Sequence, residues 1–180
     1  VLEGTLVRLR ARDKADLERA LRWINDREVT QYLLTRYPLS RAAEEKWLEE
    51  NMDSSFNGVR LAIETKDGAH IGNMDLGPVE PEDRRAMLGI MIGEREYWDR
   101  GYGTDAIRTL LRFAFEEMNL NRVWLTAFEF NERSIACYRK CGFREEGRLR
   151  QDHFARGRYW DTLVMGILRE EFSGSGEDMP

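Results

Sequence analysis

The chain has 180 residues, 42% hydrophobic and 34% charged, a balance that fits one globular domain and not a disordered chain. Lys and Arg number 28 against 33 Asp and Glu, and the net charge of −5 speaks against a partner made of duplex nucleic acid. Two cysteines exclude a disulfide-built scaffold, and no apolar run approaches the roughly 18 residues of a membrane span.

Thr5 to Arg10 alternates Val7 and Leu9 with Arg8 and Arg10, the pattern of a half-buried strand. Leu17, Leu21 and Ile24 recur at helical spacing behind Asp13, a candidate cap. Asn25 to Leu39 reads as an irregular aromatic stretch, and Ser40 opens a second helix through Trp47 and Leu48. Val59 to Thr65, the turn Lys66-Asp67-Gly68 and His70 to Leu76 predict a hairpin, followed by a loop from Gly77 to Asp83. Arg85 to Gly93 is a further strand. Thr104 to Met118 is the strongest helix, with Ile107, Leu110, Leu111, Ala114 and Phe115 on one stripe. Arg122 to Phe128 is a strand, and Glu132 to Lys140 a short helix closed by Gly142. Phe143 to Arg150 and Tyr159 to Leu168 are the last strands. The fold class is therefore α/β, a mixed sheet covered by helices. Residues 1–172 are expected to form one domain, with 173–180 as a flexible tail.

Chemistry concentrates in Trp98-Asp99-Arg100-Gly101-Tyr102-Gly103-Thr104-Asp105-Ala106. A strand ends, a glycine-rich loop bends, and a helix starts whose first N–H groups are free donors at a partially positive end. That combination is an anion site of the phosphate-binding kind, although a tight turn with ordinary capping fits the same residues. Asn131, Ser134 and Tyr138 share one face of the short helix, where they could bond an amide-rich ligand or simply cap and pack. Cys137 and Cys141 read as reduced thiols. With His70 and His153 the only histidines, no metal site is expected.

Taken together these residues resemble the GNAT superfamily of acetyl-CoA-dependent N-acetyltransferases, and most of all its ribosomal-protein alanine acetyltransferase (RimJ/RimL-like) branch. The resemblance rests on Leu21 to Thr30, Ile71-Gly72, Gly89 to Gly93, the Arg100 to Ala106 loop, Asn131 to Ser134, Tyr138, Lys140, Gly142-Phe143 and Glu146-Gly147. It implies a central twisted mixed sheet of about seven strands, splayed between two parallel ones and flanked by about four helices. It implies acetyl-CoA as cosubstrate and is compatible with a homodimer, while the two reduced thiols make the cytoplasm the expected compartment. The pantetheine arm would pair with backbone near Met91, Ile92 and Gly93. The pyrophosphate would lie on Gly101, Tyr102, Gly103 and Thr104, with Arg100 supplying charge. Asn131 would bond the arm and Ser134 line its path. Asp105, one turn into an anion-binding helix, should point away from the phosphates.

Acetyl transfer to an amine needs a proton acceptor, donors for the developing oxyanion and an acid for the leaving thiolate. Tyr138 matches the family's acid, and backbone N–H near Ile92 its oxyanion donor. For the base, Glu94, Glu129 and Asp75 stand near strand ends, and Glu129 is chosen because it ends the strand flanking the splay. The acceptor side would hold Tyr32, Arg36, Tyr37, Phe154, Arg156 and Trp160, a lining that suits a planar or acidic acceptor but equally suits loop packing. The acceptor is expected to be a small-molecule amine or a peptide N-terminus. The alternatives are a non-catalytic acyl-CoA-binding module, or an amine borne on RNA or the ribosome. The second rests on basic residues such as Arg144, Arg148, Arg150 and Arg158 in the last third.

Overall fold

A computed structural model describes residues 1–173. The expected tail lies outside the described residues, apart from Ser173. The strands are β1 (Leu2–Glu3), β2 (Val7–Ala11), β3 (Val59–Thr65), β4 (His70–Glu80), β5 (Arg85–Ile92), β6 (Arg122–Phe128), β7 (Arg144–Ala155) and β8 (Arg158–Leu168). They form one sheet of eight strands in the order β1-β2-β3-β4-β5-β6-β8-β7. All neighbours are antiparallel except β5 and β6. The helices are α1 (Leu17–Ile24), α2 (Arg27–Thr30), α3 (Arg41–Glu50), α4 (Tyr102–Arg112) and α5 (Glu132–Lys140). Among the described residues no helix is long and apolar enough to cross a membrane.

The differences from expectation have local causes. The two-residue β1 is too short for a periodic signal and exists by pairing with β2 at Leu2–Leu9 and Glu3–Arg8. The one-turn α2 lies inside the stretch expected to be irregular and starts behind Asp26, whose side chain accepts from Glu28 N–H. β4 continues through the expected loop to Glu80, because a bulge between Leu76 and Val79 absorbs Gly77-Pro78 and pairing resumes at Val79–Ala86. The strong helix begins at Tyr102 and its last turn, Phe113–Glu117, is π-helical, with Met118 N–H donating to Phe113 O. β7 and β8 extend to Ala155 and Arg158, so the expected acceptor-side hairpin is strand almost to its tip.

The parallel pair positions the site. β5 and β6 are matched at only three positions, Arg85–Arg122, Ala86–Val123 and Met87–Trp124, and then part. Burial along β5 records the loss: Ala86 and Leu88 are buried, but Gly89 to Ile92 are not. α4 and α5 cover the sheet here, with Ile107, Leu110, Leu111 and Ile135 joining Val123, Leu125 and Met165 in the core.

A largely buried polar knot ties β2, β3 and the start of β4 together. The Arg10 guanidinium forks onto both Asp16 carboxylate oxygens (2.8 and 2.9 Å), and its Nε reaches Glu64 at 2.7 Å. His70 Nδ1 lies 3.2 Å from Asp16, and the Asp13 N–H donates to the same carboxylate. Burial works to raise the Asp16 carboxyl, but the hydrogen bonds from Arg10 and then His70 outweigh it and hold it well below the usual carboxylate range. Since the folded value is depressed, this stabilisation is present above about pH 4 and is lost as pH falls further. Asp16→Asn leaves the half-buried Arg10 guanidinium with Glu64 as its one carboxylate partner among the described residues and should cost about 3 kcal/mol in urea unfolding at neutral pH, with the gap to the native protein narrowing in acid.

Candidate active site

Where β5 and β6 part, a cleft of about 700 Å³ opens, floored by β5 and β6 and walled by α4, α5 and the segment after α2. Gly93 N–H donates to Ile71 O (2.8 Å), so it faces β4. The alternation of an antiparallel ladder then turns the backbone groups of Ile92 and Ile90 into the gap. The Ile92 carbonyl is already taken by the Trp98 indole N–H at 2.8 Å.

α4 begins at the mouth of the gap. Its cap, Gly101, sits at φ 86° and offers no side chain to the helix. Only a glycine adopts this left-handed turn without strain. The first intrahelical bond runs from Asp105 N–H to Gly101 O (3.0 Å), so the N–H groups of Tyr102, Gly103 and Thr104 find no acceptor in the described chain. A side-chain anion at this end would defeat its use, and Asp105 is turned away. Its carboxylate accepts from the N–H groups of Thr5 (3.1 Å), Leu6 (2.7 Å) and Val7 (3.0 Å) instead.

α5 supplies the third wall. Asn131 caps it by accepting from Ser134 N–H at 3.4 Å, while its Nδ2 has no partner in the described chain. Tyr138 is buried yet reaches the cleft. Burial and then the neighbouring Cys137 push its phenol well above its ordinary value, with a Ser134 hydrogen bond opposing, so the ring keeps its proton across the physiological range. Cys137 Sγ lies 3.2 Å from Thr104 Oγ1. The Cys141 thiol, which donates to Thr104 O at 3.7 Å, and the Thr104 hydroxyl hold the Cys137 thiol below its ordinary value against burial, and the same proximity pushes Cys141 up.

The structure therefore brings Met91, Ile92, Gly101 and Gly103 into one cleft with Thr104, Asn131, Ser134 and Tyr138. Four expected residues are not in its lining. Gly93 spends its N–H on β4, and a Cβ there would collide with the Trp23 ring, so its role is close packing. Arg100 bonds Glu96 O (3.2 Å) with its guanidinium near the Tyr97 and Tyr102 rings. Tyr102 packs edge-on against Tyr97. Glu129 accepts from the Asp161 N–H at 3.0 Å and from Arg148 at 3.1 Å, which spends its carboxylate on joining β6 to the β7–β8 pair. The other base candidates are also engaged elsewhere, Glu94 by Arg22 and Trp23 and Asp75 by Arg12.

Sequence reasoning missed Asp152. Between the pairs Leu149–Thr162 and His153–Trp160, four steps along β7 match two along β8. Gln151 takes φ 52° in this bulge, and its N–H is held by Asp161 Oδ1 at 2.9 Å. The bulge places Asp152 in the cleft lining, with no hydrogen bond or ion pair among the described residues, whereas the other lining carboxylate, Asp99, is paired with Arg133 at 2.9 Å. The only sequence signal was the polar run Arg150-Gln151-Asp152-His153 interrupting a strand pattern.

A family model described as an acetyltransferase (GNAT) domain matches residues 6–144. Spermidine N(1)-acetyltransferase of Escherichia coli is 28% identical over 92% of this chain and 88% of its own. YdaF of Bacillus subtilis, described as a candidate ribosomal N-acetyltransferase, is 33% identical over 71% of this chain and 68% of its own. The crystal structure of Vibrio cholerae spermidine N-acetyltransferase with CoA and spermine superposes with a TM-score of 0.83 at 27% identity, covering 93% of this chain and 98% of that one.

Cys137 supplies a direct probe of the cleft. Its alkylation by iodoacetamide should set in at a lower pH than the roughly 8.5 of an ordinary thiol and should slow when CoA is added. Reaction at an ordinary thiol's pH, unaffected by CoA, would contradict the geometry around Thr104.

Proposed function

The chain belongs to the acetyltransferase (GNAT) family, and we propose on that premise that it transfers an acetyl group from acetyl-CoA directly to a primary amine in a ternary complex. The observation that carries this reading is the juxtaposition of three unbonded N–H groups at the start of α4 with the gap between β5 and β6. Such a helix start suits a pyrophosphate, and such a strand edge suits the amides of a pantetheine arm. When bound, acetyl-CoA supplies the thioester that makes the acetyl carbon reactive.

The chain's residues take distinct roles. Tyr102, Gly103 and Thr104 offer backbone donors to phosphate, and Arg100 adds positive charge beside them. The backbone of Ile90 and Ile92 and the free Asn131 Nδ2 hold the arm, along a path lined by Ser134 and Met91. Ile92 N–H is the donor for the acetyl oxygen as charge develops on it. Tyr138, protonated at neutral pH, gives its proton to the departing sulfur. Asp152, in place of Glu129, holds the acceptor ammonium and passes its proton through water to solvent. A peptide N-terminus, the RimJ/RimL-like reading, draws support from the likeness to YdaF, and a small amine from the likeness to the spermidine enzymes.

Thermal unfolding and steady-state kinetics together test the proposal. CoA and acetyl-CoA at 100 times their dissociation constants should each stabilise the protein by about 2.7 kcal/mol. Tyr138→Phe should keep that stabilisation and lower kcat by about 10²-fold or more, and Asp152→Asn should raise the KM for the amine. A Tyr138→Phe protein that turns over at the native rate would remove the tyrosine from the chemistry.

A further inference from the structure

The cleft's acceptor end lies where β7 and β8 meet the segment after α2. Arg36 bonds His153 at 3.3 Å and Arg156 bonds Gln31, so residues 31–36 run beside the bulge that presents Asp152. Across the sheet, Phe128, Thr162 and Leu149 are matched residues of β6, β8 and β7. Matched residues of an antiparallel ladder show their side chains on one face, and all three line the cleft. Tyr32, Leu33 and Leu34 line it from the segment after α2. The rings are held in place, Tyr32 by Trp98 and Phe130 at 6.4 and 6.2 Å and Phe128 by Phe130 at 5.6 Å. Leu34 and Leu149 stay 78% and 48% exposed, so the apolar lining continues to the mouth.

This end carries hydrocarbon and a single free charge. Arg36 and Arg156, expected here, are not in the lining and are engaged outside it, by His153 and over Phe130 at 4.7 Å. Of the two carboxylates in the lining, Asp99 is paired with Arg133, and Asp152 has no ion pair among the described residues. The other polar side chains that β6, β8 and the segment after α2 bring to the cleft are the hydroxyls of Tyr32, Thr126 and Thr162. Such a site fixes one ammonium and offers the rest of the molecule an apolar wall. A polyamine would set further ammonium groups against that wall with no carboxylate to meet them, and an unpaired charge taken from water is costly. A peptide would bring an N–H and a C=O with every residue to side chains that offer few partners. A monoamine with an apolar body finds a match at both ends.

Resting on the transferase reading, we infer that the acceptor is a small primary monoamine with an apolar body, its nitrogen at Asp152 and its hydrocarbon against Tyr32, Leu33, Leu34, Phe128 and Leu149.

The test compares kcat/KM across amines with acetyl-CoA saturating. The monoamines are ethylamine, butylamine, hexylamine and phenethylamine, set against hexamethylenediamine, spermidine and the amidated peptide Ala-Leu-Leu-Ala. From ethylamine to hexylamine each methylene should raise kcat/KM by about threefold, and hexylamine should exceed its diamine by about tenfold or more. Calorimetric binding of the same amines to the CoA complex should follow the same order. Leu34→Ser/Leu149→Ser alters two exposed side chains and should cut the ratio of hexylamine to ethylamine by about tenfold, whereas Leu34→Met/Leu149→Met should keep most of it. A structural defect would lower both amines together and leave the ratio standing. A flat response to chain length, a ratio undiminished in the serine variant, or a higher kcat/KM for the diamine, spermidine or the peptide would overturn the inference and leave the transferase reading intact. No transfer to any amine by a protein that acetyl-CoA stabilises would overturn both.

Discussion

Everything at the candidate site depends on β5 and β6 being parallel neighbours for three matched positions and no further. A longer ladder would close the cleft and satisfy the backbone of Ile90 and Ile92 internally. Parting leaves polar groups on a strand edge, which costs free energy unless a ligand, water or side chain meets them. The Trp98 indole meets one, the Ile92 carbonyl. The fold holds the strands apart with bulk. α4 and α5 enter the core beside the gap, and Tyr138 and Cys137 line it from the α5 side.

The second constraint is electrostatic. The first turn of α4 is useful to an anion only if the helix's own carboxylate leaves it alone. Asp105 does so by accepting three N–H groups from residues 5–7, which also fastens the start of β2 to α4. One side chain thereby removes an opposing charge from the anion site and satisfies backbone donors at the sheet's edge. A similar economy holds at the acceptor end. Asp161 holds Gln151 N–H and pairs with Arg148, which fixes the bulge that presents Asp152.

Much of this was legible in the sequence because it is local. The stripe of Ile107, Leu110 and Leu111 marks α4, the glycine-rich loop marks its start, and the spacing of Asn131, Ser134 and Tyr138 puts them on one face. The demand that Asp105 turn away follows from like-charge repulsion between its carboxylate and a phosphate at the same helix end, and the structure supplies its three donors. What was not legible is set by partners far along the chain. Glu129 does end the strand at the splay, but Arg148 and the Asp161 N–H, 19 and 32 residues away, claim its carboxylate. Asp152 enters the cleft through a register shift between β7 and β8 that no single-strand pattern encodes. Gly93, read as a place for the cofactor, is a place for the Trp23 ring.

The most direct test of the account is amide hydrogen exchange at Ile92, Tyr102, Gly103 and Thr104, resolved residue by residue with and without CoA. Groups that have no acceptor in the chain and gain one from the ligand should slow sharply, while the Gly93 N–H, already bonded to Ile71, should change little. Saturating CoA that leaves the three α4 amides and Ile92 exchanging as before would contradict the claim that the parted strands and the start of α4 form the cofactor site.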